Sequence, residues 1–393
     1  MTISNYDKLP FIDVSHSEHR GWRGWQDILA HLKTCATDGP AAIAIECYPG
    51  VFIDEITEAV RSHWPEVQII DMREALLPEG EIENLVHPFT GGADPIFGYL
   101  CNLTLDRFFR SDVLSQLRAR ADSTTRPIVL LGTGAFLAAP VTALRVFADL
   151  SRWEIQLRQR RSEIANLGSD DKAIKASLQY KRAFFVDWRV CDRLKRATIE
   201  QWDYLLDTSI PRDPKMVSGD AFREALGHAV SRPFRVVPFF DPGPWGGQWM
   251  KDVCNLDPRQ ANYAWCFDCV PEENSLRFRF GHVEVEVPAI DLVFAEPRAL
   301  LGGPVYGRFG SEFPIRFDFL DTMAGGNLSL QVHPLTHYIQ EHFGLHYTQD
   351  ESYYLLDAKP DALVYLGCKT GVNRVKMEAA LEAAQRGEGR FRD

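Results

Sequence analysis

"AAIAIECYPGVFIDEITEAVRSHWPEVQIID" (41–71) places two short apolar runs on either side of an amphipathic segment. The runs at 41–48 and 67–71 predict buried strands, and the segment at 51–64 has the apolar spacing of a helix. A strand, a helix and a second strand in succession are typical of parallel pairing, because the helix returns the chain to the starting edge. Further strands predicted within 126–138 and 144–150 extend the pattern. The first half is therefore predicted to be an α/β domain with a parallel sheet covered on both faces.

The second half has a different pattern, in which polar and apolar residues alternate over short segments. Such alternation predicts half-buried antiparallel strands in a sandwich or barrel. The predicted strands are 262–270, 275–280, 282–287, 314–320, 328–334, 352–358 and 362–367. Prolines and glycines cluster at 231–247, which predicts a boundary between an α/β domain at 1–232 and a β domain at 233–393. The charged stretch at 151–206 predicts helices with solvated faces and a lid region in the first domain.

Composition excludes several classes of protein. The 393 residues carry a formal net charge of −11, which disfavours broad attraction to nucleic acid or acidic membranes. The amino-terminal stretch lacks the apolar core of a signal peptide, and no segment is apolar enough to span a bilayer. We therefore expect a cytoplasmic protein. The eight cysteines are expected to be reduced thiols, including the closely spaced Cys266 and Cys269, since no second pair completes a structural zinc site.

Two turns in the first half invite comparison with nucleotide-binding loops. The stretch "IECYPGVFIDEI" (45–56) follows the first strand but lacks the G-x-x-x-x-G-K-[ST] pattern that holds nucleotide phosphates and Mg²⁺. Gly132-Thr133-Gly134 follows a later strand but lacks the third glycine of a dinucleotide fingerprint, although Asp149 lies at a suitable distance. The order of segments over about 20–230 nevertheless resembles the uridine-kinase-like branch of the P-loop kinases. That resemblance implies a kinase-like domain with a degenerate P-loop.

Polar residues in the second half predict a metal site. In a strand at 328–334, Gln331 and His333 would project from the same face, because side chains alternate with period two. Glu351 begins the next predicted strand and could lie beside them. Amide, imidazole and carboxylate groups together suit Zn²⁺ or a similar divalent ion. The alternative interpretation is a set of polar residues at the end of a sheet.

Three motifs support the metal interpretation. "PWGG" (244–247), "LSLQVHP" (328–334) and "DESYYLLDAKPDALVYLG" (350–367) resemble successive motifs of type I mannose-6-phosphate isomerases, which are zinc enzymes with a cupin fold. The resemblance covers about 236–383. It implies three zinc ligands, a residue near the substrate phosphate and an active-site aromatic, which are Gln331, His333 and Glu351, then Ser329, then Trp245. Lys251, just after the first motif, is a further candidate for contact with the phosphate.

The chain departs from the isomerase pattern in two places. Gln349 stands where the family commonly has a lysine, and the sequence contains no later strand with the histidine that is the family's fourth ligand. We therefore expect an incomplete barrel, with His346 as the internal substitute because its spacing to Glu351 is typical of the first motif of many other cupins. His337 and His342 lie in a predicted short helix and are assigned structural roles.

These patterns predict a zinc-dependent isomerase that interconverts mannose 6-phosphate and fructose 6-phosphate, with one Zn²⁺ per chain. A base would move a proton between C1 and C2 of the sugar, and the sequence does not identify that base. Two alternatives stay open. One is a nucleoside or sugar kinase-like phosphotransferase acting through the first half, for which micromolar Mg-ATP binding would be diagnostic. The other is a protein that binds a sugar phosphate without turning it over.

Overall fold

The computed structural model of the protein describes residues 4–14, 21–91 and 94–388. The strands are β1 (Ile12–Asp13), β2 (Gly21–Arg23), β3 (Ala42–Cys47), β4 (Gln68–Asp71), β5 (Ile128–Gly132), β6 (Leu144–Asp149), β7 (Tyr204–Asp207), β8 (Lys215–Ser218), β9 (Phe239–Asp241), β10 (Trp265–Cys269), β11 (Ser275–Phe280), β12 (Val283–Pro288) and β13 (Phe317–Leu320). The helices are α1 (Trp25–Asp38), α2 (Ile53–His63), α3 (Glu79–Thr90), α4 (Ser111–Asp122), α5 (Ala135–Ala138), α6 (Arg152–Arg160), α7 (Ala176–Arg182), α8 (Trp188–Thr198), α9 (Gly219–Val230), α10 (Trp249–Val253), α11 (Ile290–Ala295), α12 (Pro297–Phe309), α13 (Thr336–Phe343) and α14 (Arg374–Gln385).

A seven-stranded sheet organises the first half of the chain. Its order is β2-β8-β7-β6-β3-β5-β4, and the five strands from β7 to β4 are parallel. At one end, β8 pairs antiparallel with β7 and β2 pairs antiparallel with β8. Every residue of β3 is buried, as expected for the central strand of a sheet covered on both faces. The predicted parallel α/β sheet is therefore confirmed.

The hairpin of β11 and β12 shows the alternation predicted for the second half most clearly. Leu276, Phe278 and Phe280 of β11 are fully buried, whereas the intervening arginines ion-pair with Glu284 of β12. The buried side chains of this hairpin belong to the same hydrophobic core as β3 and α9. One hydrophobic core thus contains residues from both sides of position 232. The domain boundary predicted there stays a prediction.

A separate three-stranded antiparallel sheet has the order β13-β10-β9. It carries a smaller apolar cluster around Met250, Tyr263 and Cys266. The predictions of strands at 262–270 and 314–320 are confirmed in shortened form by β10 and β13. All eight cysteines are free thiols, and burial raises the pKa of Cys266 to about 12.

The chain divides into two compact units, 1–349 and 350–393. Within the second unit the described residues form one helix, α14, and otherwise irregular backbone. The strands predicted at 328–334, 352–358 and 362–367 were wrong, because these segments are irregular in the structure. Their apolar side chains are largely exposed, Leu366 at 97% and Val332 at 78%. A strand forms only where a neighbour supplies backbone partners and an apolar surface, and alternation alone supplies neither.

The charged stretch at 151–206 is only partly the helical region that the sequence predicts. It contains α6, α7 and α8, but residues 161–175 are non-helical and the stretch ends in β7. No helix within the described ranges has the length and apolar character needed to cross a membrane.

Candidate functional site

The predicted zinc ligands of the first unit lie at the surface. Gln331 and His333 are exposed on the irregular segment that precedes α13. The predicted strand would have placed both side chains on the same face. Because the backbone there is not a strand, that argument no longer applies. The amide of Gln331 and the imidazole of His333 are both groups that the zinc prediction requires. One residue separates them in the sequence.

Glu351, the third predicted ligand, is exposed on irregular backbone in the second unit. Among the residues that the structure describes, no group of three or more His, Cys, Asp or Glu could hold a metal ion. That search does not include amide ligands such as Gln331. The zinc ion and its ligand set therefore stay predictions.

His346, the predicted substitute for the fourth zinc ligand, already contacts a carboxylate. Its Nδ1 lies 2.7 Å from Glu312 Oε1, and its side chain is 66% exposed. The two histidines assigned structural roles lie on α13 as predicted, and the ring of His342 is 4.1 Å from that of Tyr338.

The predicted substrate-binding residues have different surroundings. Trp245 is buried, with its ring 4.8 Å from that of Trp265 in an edge-to-face arrangement. Lys251, on α10, is partly buried and donates a hydrogen bond of 3.1 Å to the carbonyl oxygen of Ala261. Ser329 is exposed on the segment that carries Gln331. Of these three residues, Trp245 is the buried one.

The structure brings the isomerase-like motif at 244–247 against the residues just before the motif at 328–334. The amide of Gly326, just before the motif at 328–334, donates to the carbonyl of Trp245 at 2.9 Å. A Cβ at Gly325 would lie 2.3 Å from the same carbonyl oxygen, which explains why glycine is required there. The turn at 244–247 and the turn at 321–326 therefore touch through their backbones, although about 80 residues separate them in sequence.

Asp321 stabilises the contact between these two turns through hydrogen bonds. Its side chain is buried and accepts hydrogen bonds from the amides of Met250, at 2.8 Å, and Met323, at 2.9 Å. Its backbone carbonyl accepts from the amide of Gly247 at 2.8 Å. The carboxylate of Asp321 thus orients α10 and the start of the turn that leads to Gln331, and its backbone carbonyl orients the turn at 244–247.

The carboxyl edge of the parallel sheet, where nucleotides bind in many α/β proteins, is occupied by the protein's own side chains. After β3, the guanidinium of Arg158 donates to the carbonyls of Gly50, at 2.8 Å, and Thr208, at 2.9 Å. It also lies over the ring of Phe52 at 4.1 Å. An arginine side chain therefore contacts the loop that stands where a P-loop would be.

At the Gly132-Thr133-Gly134 turn, a carboxyl group of the protein binds the backbone amides. The carboxyl oxygens of Glu46, on β3, accept hydrogen bonds from the amides of Gly134 at 2.7 Å and Phe136 at 2.8 Å. Burial raises the pKa of Glu46 to about 8 despite these two bonds. An internal carboxyl group thus takes the amide donors that a phosphate would need.

Two buried ion-pair clusters complete this edge. Lys195 Nζ lies 2.6 Å from Asp149 Oδ2 and 2.9 Å from Asp291 Oδ1, and all three side chains are at most 1% exposed. Nearby, Arg152 pairs with Asp192, which also accepts from the hydroxyl of Tyr48 at 2.8 Å. These side chains link β6, α6, α8, α11 and the residue that follows β3.

The sequence-based prediction of solvated helix faces was wrong for part of the charged stretch. Arg152, Arg158 and Lys195 are buried, whereas Arg160 and Arg161 keep 42% and 46% of their side chains exposed. In "SRWEIQLRQRR" (151–161) no spacing distinguishes the two groups, so the sequence offers no signal that could have separated them.

Comparison with known proteins gives a match over the first half. A search of curated proteins found no match. The family model described as Domain of unknown function (DUF8485) matches residues 24–231, which is more than half of the chain and includes the parallel sheet and both ion-pair clusters except Asp291. The chain therefore belongs to the DUF8485 family.

Proposed function

We propose that this protein is a zinc-dependent isomerase that interconverts mannose 6-phosphate and fructose 6-phosphate. The observation that carries the proposal is the backbone contact between the turns at 244–247 and 321–326. In sequence, these turns belong to or immediately precede two motifs that resemble those of type I mannose-6-phosphate isomerases. Motifs that act in one site need to meet in the fold, and this contact is the kind of convergence that the proposal requires.

The proposed site combines the donors predicted from sequence. Gln331, His333 and Glu351 would hold the metal, with His346 as a further ligand if it exchanges Glu312 for zinc. Bound zinc would act as a Lewis acid that stabilises negative charge developing on the substrate oxygens. Trp245 would form an apolar wall, and Ser329 and Lys251 would contact the phosphate. In this proposal the second half is a partial cupin and the first half a kinase-like domain.

The geometry gives less support to the alternative of a phosphotransferase. Arg158 donates to the carbonyls of the loop after β3, and Glu46 accepts from the amides after β5. A nucleotide phosphate at the turn after β5 would need to displace Glu46 from these amides. The alternative of a non-catalytic sugar-phosphate-binding protein is favoured by one observation, the irregular backbone of the segment that carries Gln331 and His333.

The test is an isomerisation assay on the zinc-supplemented intact chain. We expect conversion of mannose 6-phosphate to fructose 6-phosphate, and a loss of roughly 100-fold in Glu351→Gln, which keeps the shape of the side chain but removes the anionic ligand. Asp350→Asn, the same change at the adjacent residue, is the matched control and should retain turnover. Stoichiometric zinc without turnover would favour the binding protein, and equal loss in both variants would remove Glu351 from the site.

A further inference from the structure

A thiol, an imidazole and a phenol meet beside the antiparallel end of the seven-stranded sheet, away from every site residue discussed above. His31 and Cys35 lie four positions apart on α1, which places both side chains on the same face of the helix. Tyr204 is the first residue of β7, the strand next to β8. Each of the three residues is only partly buried, so the cluster is not enclosed in the core.

The donor atoms of the three side chains form a compact triangle. His31 Nε2 lies 2.8 Å from Tyr204 Oη, and Cys35 Sγ lies 3.6 Å from each of these two atoms. A metal ion bound to nitrogen at about 2.0 Å and to sulfur at about 2.3 Å, with a bond angle between tetrahedral and trigonal, separates the two ligands by about 3.6 Å. The imidazole and the thiol are therefore spaced as two ligands of one ion, and the phenol oxygen is also within reach of that ion.

Neighbouring aromatic rings hold the imidazole of His31 in place. The ring stacks on the indole of Trp22, on β2, with 3.9 Å between centroids, and it meets the ring of Tyr204 edge to face at 5.2 Å. A ligand that is already oriented loses little freedom when it binds, which favours affinity. Burial also lowers the pKa of His31, and this favours the neutral imidazole that metals bind.

The donor set indicates which ion fits. Burial and the neighbouring Cys35 thiol raise the pKa of the Tyr204 phenol, so the phenol stays neutral and is a weak oxygen donor. The strong donors are then one thiolate and one imidazole. Zinc sites commonly use at least three Cys, His, Asp or Glu ligands, and no such group of three occurs in the part of the chain that the structure describes. Thiolate ligands select soft ions such as Cu(I), whose single positive charge one thiolate neutralises.

We propose that His31 and Cys35 bind one Cu(I) ion through Nε2 and Sγ, with the phenol oxygen of Tyr204 as a weak third contact. On binding, the sulfur–copper bond replaces the sulfur–hydrogen bond of the thiol, the proton leaves to solvent, and copper keeps its oxidation state. The site shares no residue with the proposed zinc site, so it does not depend on zinc or on isomerase activity.

The test is an anaerobic titration of the metal-free intact chain against a chromogenic Cu(I) chelator. The parent protein for this test carries Cys368→Ser, because Cys368 is exposed and its Sγ lies 3.9 Å from the thioether of Met377, which is a second soft donor pair. We expect the parent to withdraw about one Cu(I) per chain. Adding Cys35→Ser or His31→Gln should weaken binding by about 100-fold or more, since each removes a ligand, and Tyr204→Phe by about tenfold.

Cys269→Ser is the matched control, because it makes the same change at another partly buried thiol outside the cluster. This variant and His333→Ala should bind Cu(I) like the parent. Far-UV circular dichroism of each variant separates loss of a ligand from loss of the fold. Three results would overturn the proposal: no withdrawal of Cu(I) by the parent, full binding by a folded Cys35→Ser variant, or loss of binding in His333→Ala. The last result would place the copper at the proposed zinc ligands.

Discussion

Lys195→Met is expected to destabilise the protein by about 3–5 kcal/mol, because it leaves buried carboxyl groups without their cation. Burial opposes the charge of Lys195, but Asp149 and Asp291 outweigh that effect and raise its pKa. Burial raises the pKa of Asp291 well above its usual range. The cluster places one ammonium between two buried carboxyl groups. Removing the lysine therefore leaves both carboxyl groups buried without their cation.

Urea denaturation of the purified intact chain measures this change in the free energy of unfolding. The triple variant Lys195→Met, Asp149→Asn, Asp291→Asn should recover most of the loss, since it removes the charges together. Lys33→Met is the control, because Lys33 forms an exposed ion pair with Glu66 and should contribute little. If Lys195→Met were as mild as Lys33→Met, the buried cluster would not have the energetic role assigned to it.

Gly325→Ala is expected to destabilise the contact between the turns at 244–247 and 321–326 by about 3 kcal/mol, the upper range for an overpacked site. The new Cβ would lie 2.3 Å from the carbonyl oxygen of Trp245 and 2.5 Å from that of Gly246. Both are backbone atoms, so the turns would have to separate. Trp245 would then lose its buried position, which its fluorescence during denaturation would report.

Gly326→Ala is a matched control at the next residue. Its Cβ would lie 3.4 Å from Trp245, which is ordinary van der Waals contact. The same chemical change should therefore have little effect on stability or on tryptophan fluorescence. Equal behaviour of the two variants would contradict the assigned contact and remove the observation on which the proposed function rests.

Sequence periodicity was sufficient to predict the strands and helices whose apolar face packs against the hydrophobic core. The strand at 41–48, the helix at 51–64 and the hairpin at 275–288 correspond to β3, α2, β11 and β12. In each case one face is apolar and meets a core, so the pattern and the packing agree. The strands β7 and β8 were missed because β7 follows a long charged helical stretch and β8 lies among polar residues and prolines.

The same periodicity was misleading where no partner is present. The alternation at 328–334 and 362–367 is typical of a strand, but in the structure these segments are irregular and exposed. Pairing depends on a neighbouring strand, which the sequence of one segment does not specify. A site that depends on strand pairing is therefore harder to predict from sequence. The predicted geometry of Gln331 and His333 depended on such a strand.

The candidate site was only partly predictable for a second reason. Trp245 was identified by resemblance and is buried, and its role as an active-site aromatic stays a prediction. Asp321, which orients three segments around it, carries no sequence signal. Likewise, Arg158 and Glu46 contact the turns after β3 and β5 through hydrogen bonds between residues about 90 to 110 positions apart. Such contacts depend on the tertiary fold.

The most direct test of the proposed function is the zinc content of the purified intact chain, measured for wild type, His333→Ala and His337→Ala. Both histidines are exposed and four positions apart, but only His333 is a proposed ligand. We predict about one zinc per chain in wild type and in His337→Ala, and a strong reduction in His333→Ala. A wild-type protein without zinc, or a His333→Ala variant that retains it fully, would contradict the proposal.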